Sequence, residues 1–590
     1  MRGLTLRLGV AAAAPQFRTL NDRFEPPAFA SREAWTPRAS YLREHVLASA
    51  GLLPMPARTP LNPVVFDEVT HADYTVAKVY FESLPGFFVT GNLYRPIGSG
   101  RFPAILSPHG HWTNGRLENT PINSGPGRAI GLARMGFVVF THDMVGYNDS
   151  RQLTHTFGGA RENLWGLSLG GLQLWNGIRA LDFLETLPYV RRDGFGVTGE
   201  SGGGTQTFLL GAVDDRVAVV APVNMISLTM QGGCLCENMP GLRLDTNNVE
   251  IAATIAPRPL LMISATGDWT AETLEREYPA MRRAYALFGA DARVNAVRFQ
   301  AEHNYNKDSR EAMYAWMARW MQNAPADVKR PERSFTPDTL ADLLVFYGRA
   351  LPEPRVTAEQ LTEQWIASAK AQLASAPPAA LQSALRHVLG FGEATAVPVR
   401  TSAPARRVPA SNGKRSKKAP VHAPLRVAVV ADVPAAVIAA LQAAKIDVRP
   451  VAFTPFDAAA AAKVRHFDTY NRTAASLKVA DIVAALRSAP PASILIADGD
   501  AGLAALLAAA IVPTQKTIAN VSGFDTSDDG AFLERLYIPG LRRAGDFATA
   551  AAMLHGDTVA HDGRDRFRAG AIRVERDALT PRQIAELAAK

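Results

Sequence analysis

Gly199-Glu200-Ser201-Gly202-Gly203 reads G-x-S-x-G, between an apolar run, Phe195 to Thr198, and a helix-compatible run, Gly204 to Leu210. Strand, sharp turn and helix are the setting in which this pentapeptide forms a nucleophile elbow. The turn forces its serine into a strained backbone, and side chains at the flanking glycines would clash. The expectation is a hydroxyl held at the tip of the turn. A glycine-rich turn that happens to contain a serine is the alternative.

The residues downstream favour the elbow. Triads on this type of sheet run in chain order Ser, acid, His. Arg258 to Ser264 is an apolar run suited to a strand buried on both faces, and Asp268 follows its end. A helical stretch, Ala271 to Leu287, and a second strand-like run, Ala292 to Phe299, lead to His303. The stretch from Asp308 to Met321 reads as the closing helix. A serine hydroxyl is a weak nucleophile near neutral pH. His303 is therefore expected to take its proton, with Asp268 holding the ring in the right tautomer. Glu302 is a rival acid by type, but its place next to His303 in the chain makes contact from behind the ring awkward. Taken singly, Asp268 could be a helix cap and His303 a solvated loop residue.

Upstream, Phe102 to Ser107 reads as a buried strand ending in Pro108-His109-Gly110-His111-Trp112. The Gly202 N–H is the expected first oxyanion donor, and an N–H among Gly110, His111 and Trp112 the second. His109 and His111 at i, i+2 suggest a metal, but no further ligand set stands near them in sequence, so neither metal nor cofactor is expected. Strand and helix then alternate: a helix at Ala129 to Met135, a strand at Phe137 to His142, and a long amphipathic helix from about Leu164 to Leu187. This pattern predicts an α/β fold with a doubly wound, mostly parallel sheet. The stretch from Val64 to Tyr94, with turns such as Leu84-Pro85-Gly86, predicts antiparallel strands leading into it.

His109-Gly110-His111-Trp112, the elbow, Gly267-Asp268-Trp269-Thr270, His303-Asn304-Tyr305-Asn306 and Gln231 to Asn238 together resemble the bacterial acetyl xylan esterase and dienelactone-hydrolase-like branch of the α/β-hydrolases. The resemblance spans residues about 40 to 325. It implies a serine carboxylesterase acting on short-chain acyl esters, with acetylated carbohydrate as the expected substrate class. Trp112, Trp269, Gln231 and Glu237 are the candidate pocket residues. A prolyl-oligopeptidase-type peptidase and an inactive scaffold are the rival functions. No large N-terminal propeller of such peptidases is expected, since the strand run that precedes the hydrolase core starts near residue 64.

The last third repeats the first in outline. Pro240-Gly241-Leu242-Arg243 recurs as Pro539-Gly540-Leu541-Arg542, an offset of 299. At that offset Asp182 meets Asp481, Leu187 meets Leu486, Gly203 meets Gly502, and Ser201 meets Asp500. The counterpart of His303 falls past Lys590. The expectation is a second, degenerate α/β-hydrolase-like domain without catalysis, and a homodimer through it is kept open.

The chain of 590 residues is too long for one core. The expected division is an N-terminal segment, 1–60, a catalytic domain, 61–325, a helical connector, 326–397, a linker, 398–424, and the degenerate domain, 425–590. The linker holds Arg400, Arg406, Arg407, Lys414, Arg415, Lys417 and Lys418 and no acid, which accounts for seven of the formal net charge of +8. The basic balance thus belongs to a tether, and no nucleic-acid partner is expected. Cys234 and Cys236, the only cysteines, are too close in sequence for an unstrained disulfide and read as buried or lid thiols. No apolar run approaches the ~20 residues of a membrane span. Arg2 and Arg7 before Leu8 to Ala14 resemble a shortened secretion signal, so secreted, periplasmic and cytoplasmic locations stay open.

Overall fold

The protein is described from a computed structural model, for residues 17–26, 28–392, 426–491 and 493–590. The expected basic linker and secretion-signal-like stretch lie outside the described residues. The chain folds into two units. The first contains Met1–Gly390, Pro455–Thr473 and Ile538–Ala544, and the second contains Phe391–Thr454, Ala474–Tyr537 and Gly545–Lys590.

The first unit is built on a nine-stranded sheet. Its strands are β1 (Val64–Thr70), β2 (Tyr74–Leu84), β3 (Phe87–Pro96), β4 (Phe102–Leu106), β5 (Val138–His142), β6 (Val190–Glu200), β7 (Val217–Val223), β8 (Leu260–Ala265) and β9 (Val294–Phe299). The spatial order is β1-β2-β3-β5-β4-β6-β7-β8-β9. The first three strands pair antiparallel, β3 meets β5 antiparallel, and every later pairing is parallel. This is the α/β-hydrolase fold, with the antiparallel entry that the turns between Val64 and Tyr94 indicate.

The apolar runs are continuous because helices cover both faces of the sheet. Successive residues of β4 serve opposite cores. Ala104 and Leu106 pack with Trp175, Ile178 and Leu181 of the helix Leu169–Thr186. Ile105 packs with Ile130 and Met317 on the other side. Val138 and Phe140 of β5 and Leu260 and Met262 of β8 join the first core, whereas Val139, Leu261 and Ile263 join the second. Ser168 caps the long helix through its side chain, which accepts from the Gly171 N–H. That helix is buried around most of its circumference rather than amphipathic, because residues outside the sheet pack on it as well.

The helix Ala358–Ser375 sends Trp365, Ile366 and Ala369 into the first core, so residues expected to form a connector are part of the first unit. Two short segments from the last third also join this unit. In both Pro-Gly-Leu-Arg repeats the Gly and Arg N–H groups donate to consecutive carbonyls. Gly241 and Arg243 donate to Asp468 and Thr469 at 2.8 and 2.9 Å, and Gly540 and Arg542 donate to Asn163 and Leu164 at 2.7 and 3.2 Å. Both glycines sit at left-handed φ, 79° and 78°. Each arginine lies over an aromatic ring, Arg243 over Tyr470 and Arg542 over Trp165.

The second unit holds a six-stranded sheet. Its strands are β10 (Val427–Ala431), β11 (Asp447–Pro450), β12 (Ile494–Ala497), β13 (Lys516–Asn520), β14 (Asp557–His561) and β15 (Arg573–Val574), ordered β11-β10-β12-β13-β14-β15 and parallel throughout. Numbered by their own sequence order, the six strands β4 to β9 and these six run 2-1-3-4-5-6 in both sheets.

Candidate active site

Ser201 follows directly on β6 and precedes the helix Gly202–Val213, at φ 55° and ψ −123°. A side chain at positive φ is strained, and here the strain marks the tip of the elbow. The surrounding glycines are explained by close approach. A Cβ on Gly199 would lie 2.4 Å from the Pro108 carbonyl oxygen, and one on Gly203 would lie 2.7 Å from the Pro108 and His109 oxygens. The loop after β4 rests on the elbow at backbone distance.

Glu200 organises the ground beneath the serine. Its carboxylate is fully buried and pairs with Arg128 at 2.8 Å, itself buried. It also accepts from the Trp112 indole N–H at 2.7 Å, the Gly110 N–H at 3.1 Å and the Asn123 amide at 3.2 Å. A buried charge needs such pairing to persist. The result is a fixed Trp112 beside Ser201. A Cβ on Gly110 would meet both the Trp112 indole nitrogen and the Ser201 Cβ, at 3.1 and 3.2 Å.

Asp268 and His303 meet as the sequence suggests. The His303 Nδ1 lies 2.8 Å from the Asp268 Oδ2, with the Asp268 side chain almost wholly buried and His303 partly exposed. The other carboxylate oxygen, Oδ1, accepts from the Thr270 N–H and hydroxyl at 2.7 and 2.5 Å, which fixes the carboxylate plane. Trp112 and Trp269 flank the imidazole, with ring centroids 6.1 and 4.5 Å away. Trp112 therefore touches the neighbourhoods of both Ser201 and His303. Glu302 is exposed and packs its carboxylate near Gly267.

Four of the expected site residues have their polar groups engaged within the protein. The Gly110 N–H is spent on Glu200, and the Trp112 N–H donates to the Gly110 carbonyl at 2.9 Å. Of the expected second oxyanion donors, that leaves the His111 N–H. Gly202 opens its helix, where an N–H has no partner one turn back. The Gln231 amide donates to the Ser227 carbonyl and accepts from the Asn248 N–H, and the residue is fully buried. Glu237 accepts from the Gly233 and Cys234 N–H groups and the Thr205 hydroxyl, also buried. Through these bonds both hold the 231–248 region together.

His109 is likewise structural. One ring nitrogen is 2.7 Å from the Gly110 carbonyl and the other accepts from the Met144 N–H at 2.9 Å. Burial pushes its pKa well below the usual imidazole value. Asp143, beneath the same loop, is pushed up to about 6 by burial, which the Arg116 guanidinium at 2.7 Å opposes. His111 is different: it lies with His155, Cys234 and Cys236, from segments far apart in sequence. The neighbouring Cys236, and then His111 and His155, hold the Cys234 thiol well below its ordinary value against burial, whereas burial pushes Cys236 up. Sequence spacing gave no sign of this group, because its members come from three loops.

The topology is that of an α/β-hydrolase fold, with a serine elbow after β6 and an Asp–His pair in the loops after β8 and β9. No protein-family model matches the chain. Over 258 residues, 41% of this chain and 84% of the relative, it is 24% identical to YtaP of Bacillus subtilis (strain 168), which is named provisionally as a hydrolase. Among solved structures it is similar to Methylesterase BT1017, at 33% identity and TM-score 0.45, covering 50% of this chain and 66% of that one. The chain thus spans just under two thirds of that protein. It is also similar to the acetyl xylan esterase from Paenibacillus sp. R4, at 17% identity and TM-score 0.35, covering 50% of this chain and 96% of that one.

Proposed function

We propose that the first unit is a serine carboxylic ester hydrolase. The observation that carries this reading is the 2.8 Å contact between Asp268 and His303 on the rim that bears the strained Ser201. With Nδ1 bound to the carboxylate, the Nε2 of His303 is the nitrogen available to the hydroxyl. Ser201 Oγ attacks the ester carbonyl while its proton passes to Nε2. The carbonyl oxygen becomes an oxyanion between the Gly202 and His111 N–H groups. Collapse expels the alcohol, which takes the proton back from His303. Water, deprotonated by the same imidazole, then attacks the acyl-serine, and the carboxylic acid leaves as Ser201 is reprotonated.

The substrate class in this reading is a short acyl ester on a saccharide. Trp112 and Trp269 stand on either side of the general base, both partly exposed. Such indoles offer flat apolar faces with a polar edge, suited to the C–H face of a sugar ring. The hydrolase class of YtaP accords with the chemistry. The second unit is, in this reading, a degenerate copy without a nucleophile. The test compares wild type with Ser201→Ala on p-nitrophenyl acetate and acetylated xylan. Turnover of both is expected to vanish in the variant, and equal rates would reject the nucleophile.

A further inference from the structure

We propose that His111, His155, Cys234 and Cys236 form a closed binding site for a thiophilic divalent cation of the zinc type. One ligand atom from each residue lies within 4.8 Å of all the others. In a tetrahedral site with metal–sulfur bonds of ~2.3 Å and metal–nitrogen bonds of ~2.1 Å, ligand atoms stand about 3.4 to 3.8 Å apart. The widest spacing in the existing group needs to contract by about 1 to 1.4 Å to reach that geometry. The His111 Nε2 already lies 3.1 Å from the Cys236 Sγ. Both cysteines are free thiols.

A second observation points at a ligand. His155 Nδ1 is 2.6 Å from the Val145 carbonyl oxygen, which makes Nδ1 the protonated nitrogen. Its Nε2 is then a bare lone pair, and it is buried without a hydrogen-bond partner among the described residues. A histidine that donates one N–H to a backbone carbonyl and turns the other nitrogen inward has the arrangement that orients metal-bound imidazoles. The loop that carries the thiols is tied down as well, since Glu237 accepts from the Gly233 and Cys234 N–H groups at 2.9 Å each.

The donor set selects the ion. Two thiolates and two imidazoles suit zinc and its tetrahedral relatives and disfavour magnesium and calcium, which want oxygen. Two thiolates also balance a dication. Four protein ligands leave no open position, so the ion here is structural rather than catalytic. It ties together three loops: the one after β4, the one after β5 that carries His155, and the one with the two cysteines. It also reaches the reaction centre through His111. A Cβ on Gly202 would lie 2.5 Å from the His111 Cε1, so the ring stands against the helix that Ser201 opens. Where His111 N–H serves as oxyanion donor (this clause rests on the proposed function), the ion fixes that donor's loop.

The test reads metal binding directly. The full-length protein is reduced, stripped with a chelator and titrated with Co²⁺. One equivalent is expected to give the visible bands of tetrahedral cobalt and near-ultraviolet thiolate-to-cobalt absorption, and one equivalent of Zn²⁺ is expected to bleach both. In His155→Ala the Co²⁺ affinity is expected to fall at least about tenfold with an unchanged far-ultraviolet circular dichroism spectrum. In Cys234→Ser/Cys236→Ser the charge-transfer band is expected to be lost. Reduced wild type that takes up no Co²⁺, or the same spectrum in the double variant, overturns the proposal. Either result leaves the Ser201 assignment standing, because the readout does not involve ester turnover.

Discussion

The turn after β6 and the turn after β12 have the same backbone task and different side chains. In the first unit the left-handed residue before the helix is Ser201, at φ 55°. In the second it is Gly499, at φ 59°, between β12 and the body of the helix Gly499–Ile511. Three residues on, each helix needs a glycine. A Cβ on Gly204 would lie 2.9 Å from the oxygen of Val223, the last residue of β7, and one on Gly502 would lie 2.0 Å from that of Asn520, the last of β13. The structural counterpart of Ser201 is therefore Gly499. The repeat offset of 299 names Asp500, one residue too far, and Asp500 instead pairs with Arg535 at 2.9 Å.

At the end of β14, the strand that corresponds to β8, the polar residues differ in kind as well. Asp562, just past β14, is taken by Arg564 at 2.8 Å. His561 is buried, accepts from the Leu579 N–H, and is pushed down to about 4 by burial. The lesson is that the same strand order and turn geometry can carry different side-chain chemistry.

Predictions that sharpen this contrast can be ranked by size. His303→Ala and Asp268→Asn are expected to lower kcat by about 10³ to 10⁴, by loss of the base or of its tautomer. Asp562→Asn and His561→Ala, at the matching end of the second sheet, are expected to leave ester turnover within about twofold. A comparable loss from the second pair would break the contrast. Steady-state ester assays on circular-dichroism-matched variants decide it.

Glu200→Gln removes the carboxylate charge that faces buried Arg128 and is expected to destabilise the first unit by about 3 kcal/mol in chemical denaturation. An unchanged midpoint would show that the hub beneath Ser201 carries no such weight. Gly202→Ala is expected to push His111 aside and lower kcat by about 10², with KM nearly unchanged, as expected when one oxyanion donor is displaced. A variant that affects KM alone would remove His111 from the oxyanion site. The smallest effect is expected of Gly499→Ala. An added Cβ there meets nothing within 4 Å, so only the positive φ is penalised, at about 1 kcal/mol and with no change in ester turnover.

Much of the first unit is legible in the chain. Each triad candidate follows its own apolar run, and those runs are strands because a parallel sheet buried on both faces demands them. Asp268 and His303, 35 residues apart, needed only that rule to be placed together. The oxyanion loop was less legible. Which N–H of Gly110, His111 and Trp112 stays available depends on where Glu200 points, and a carboxylate's hydrogen bonds leave no periodic mark. Gln231 and Glu237 look like pocket residues by type, yet their polar atoms bond to nearby backbone and, for Glu237, to the Thr205 hydroxyl. The His–Cys group joins residues 44, 79 and 2 positions apart along the chain, so only the folded loops show it. The grouping of Pro455–Thr473 and Ile538–Ala544 with the first unit has the same cause, since packing between segments several hundred residues apart carries no local signal.

Covalent capture of the nucleophile tests the contrast between the two turns most directly. The full-length protein is treated with a fluorophosphonate and mapped by peptide mass spectrometry. A single adduct on Ser201, abolished in Ser201→Ala and unaffected by Asp500→Ala, is the outcome this account requires. Labelling within residues 494–511, or no labelling at all of folded wild type, would contradict it.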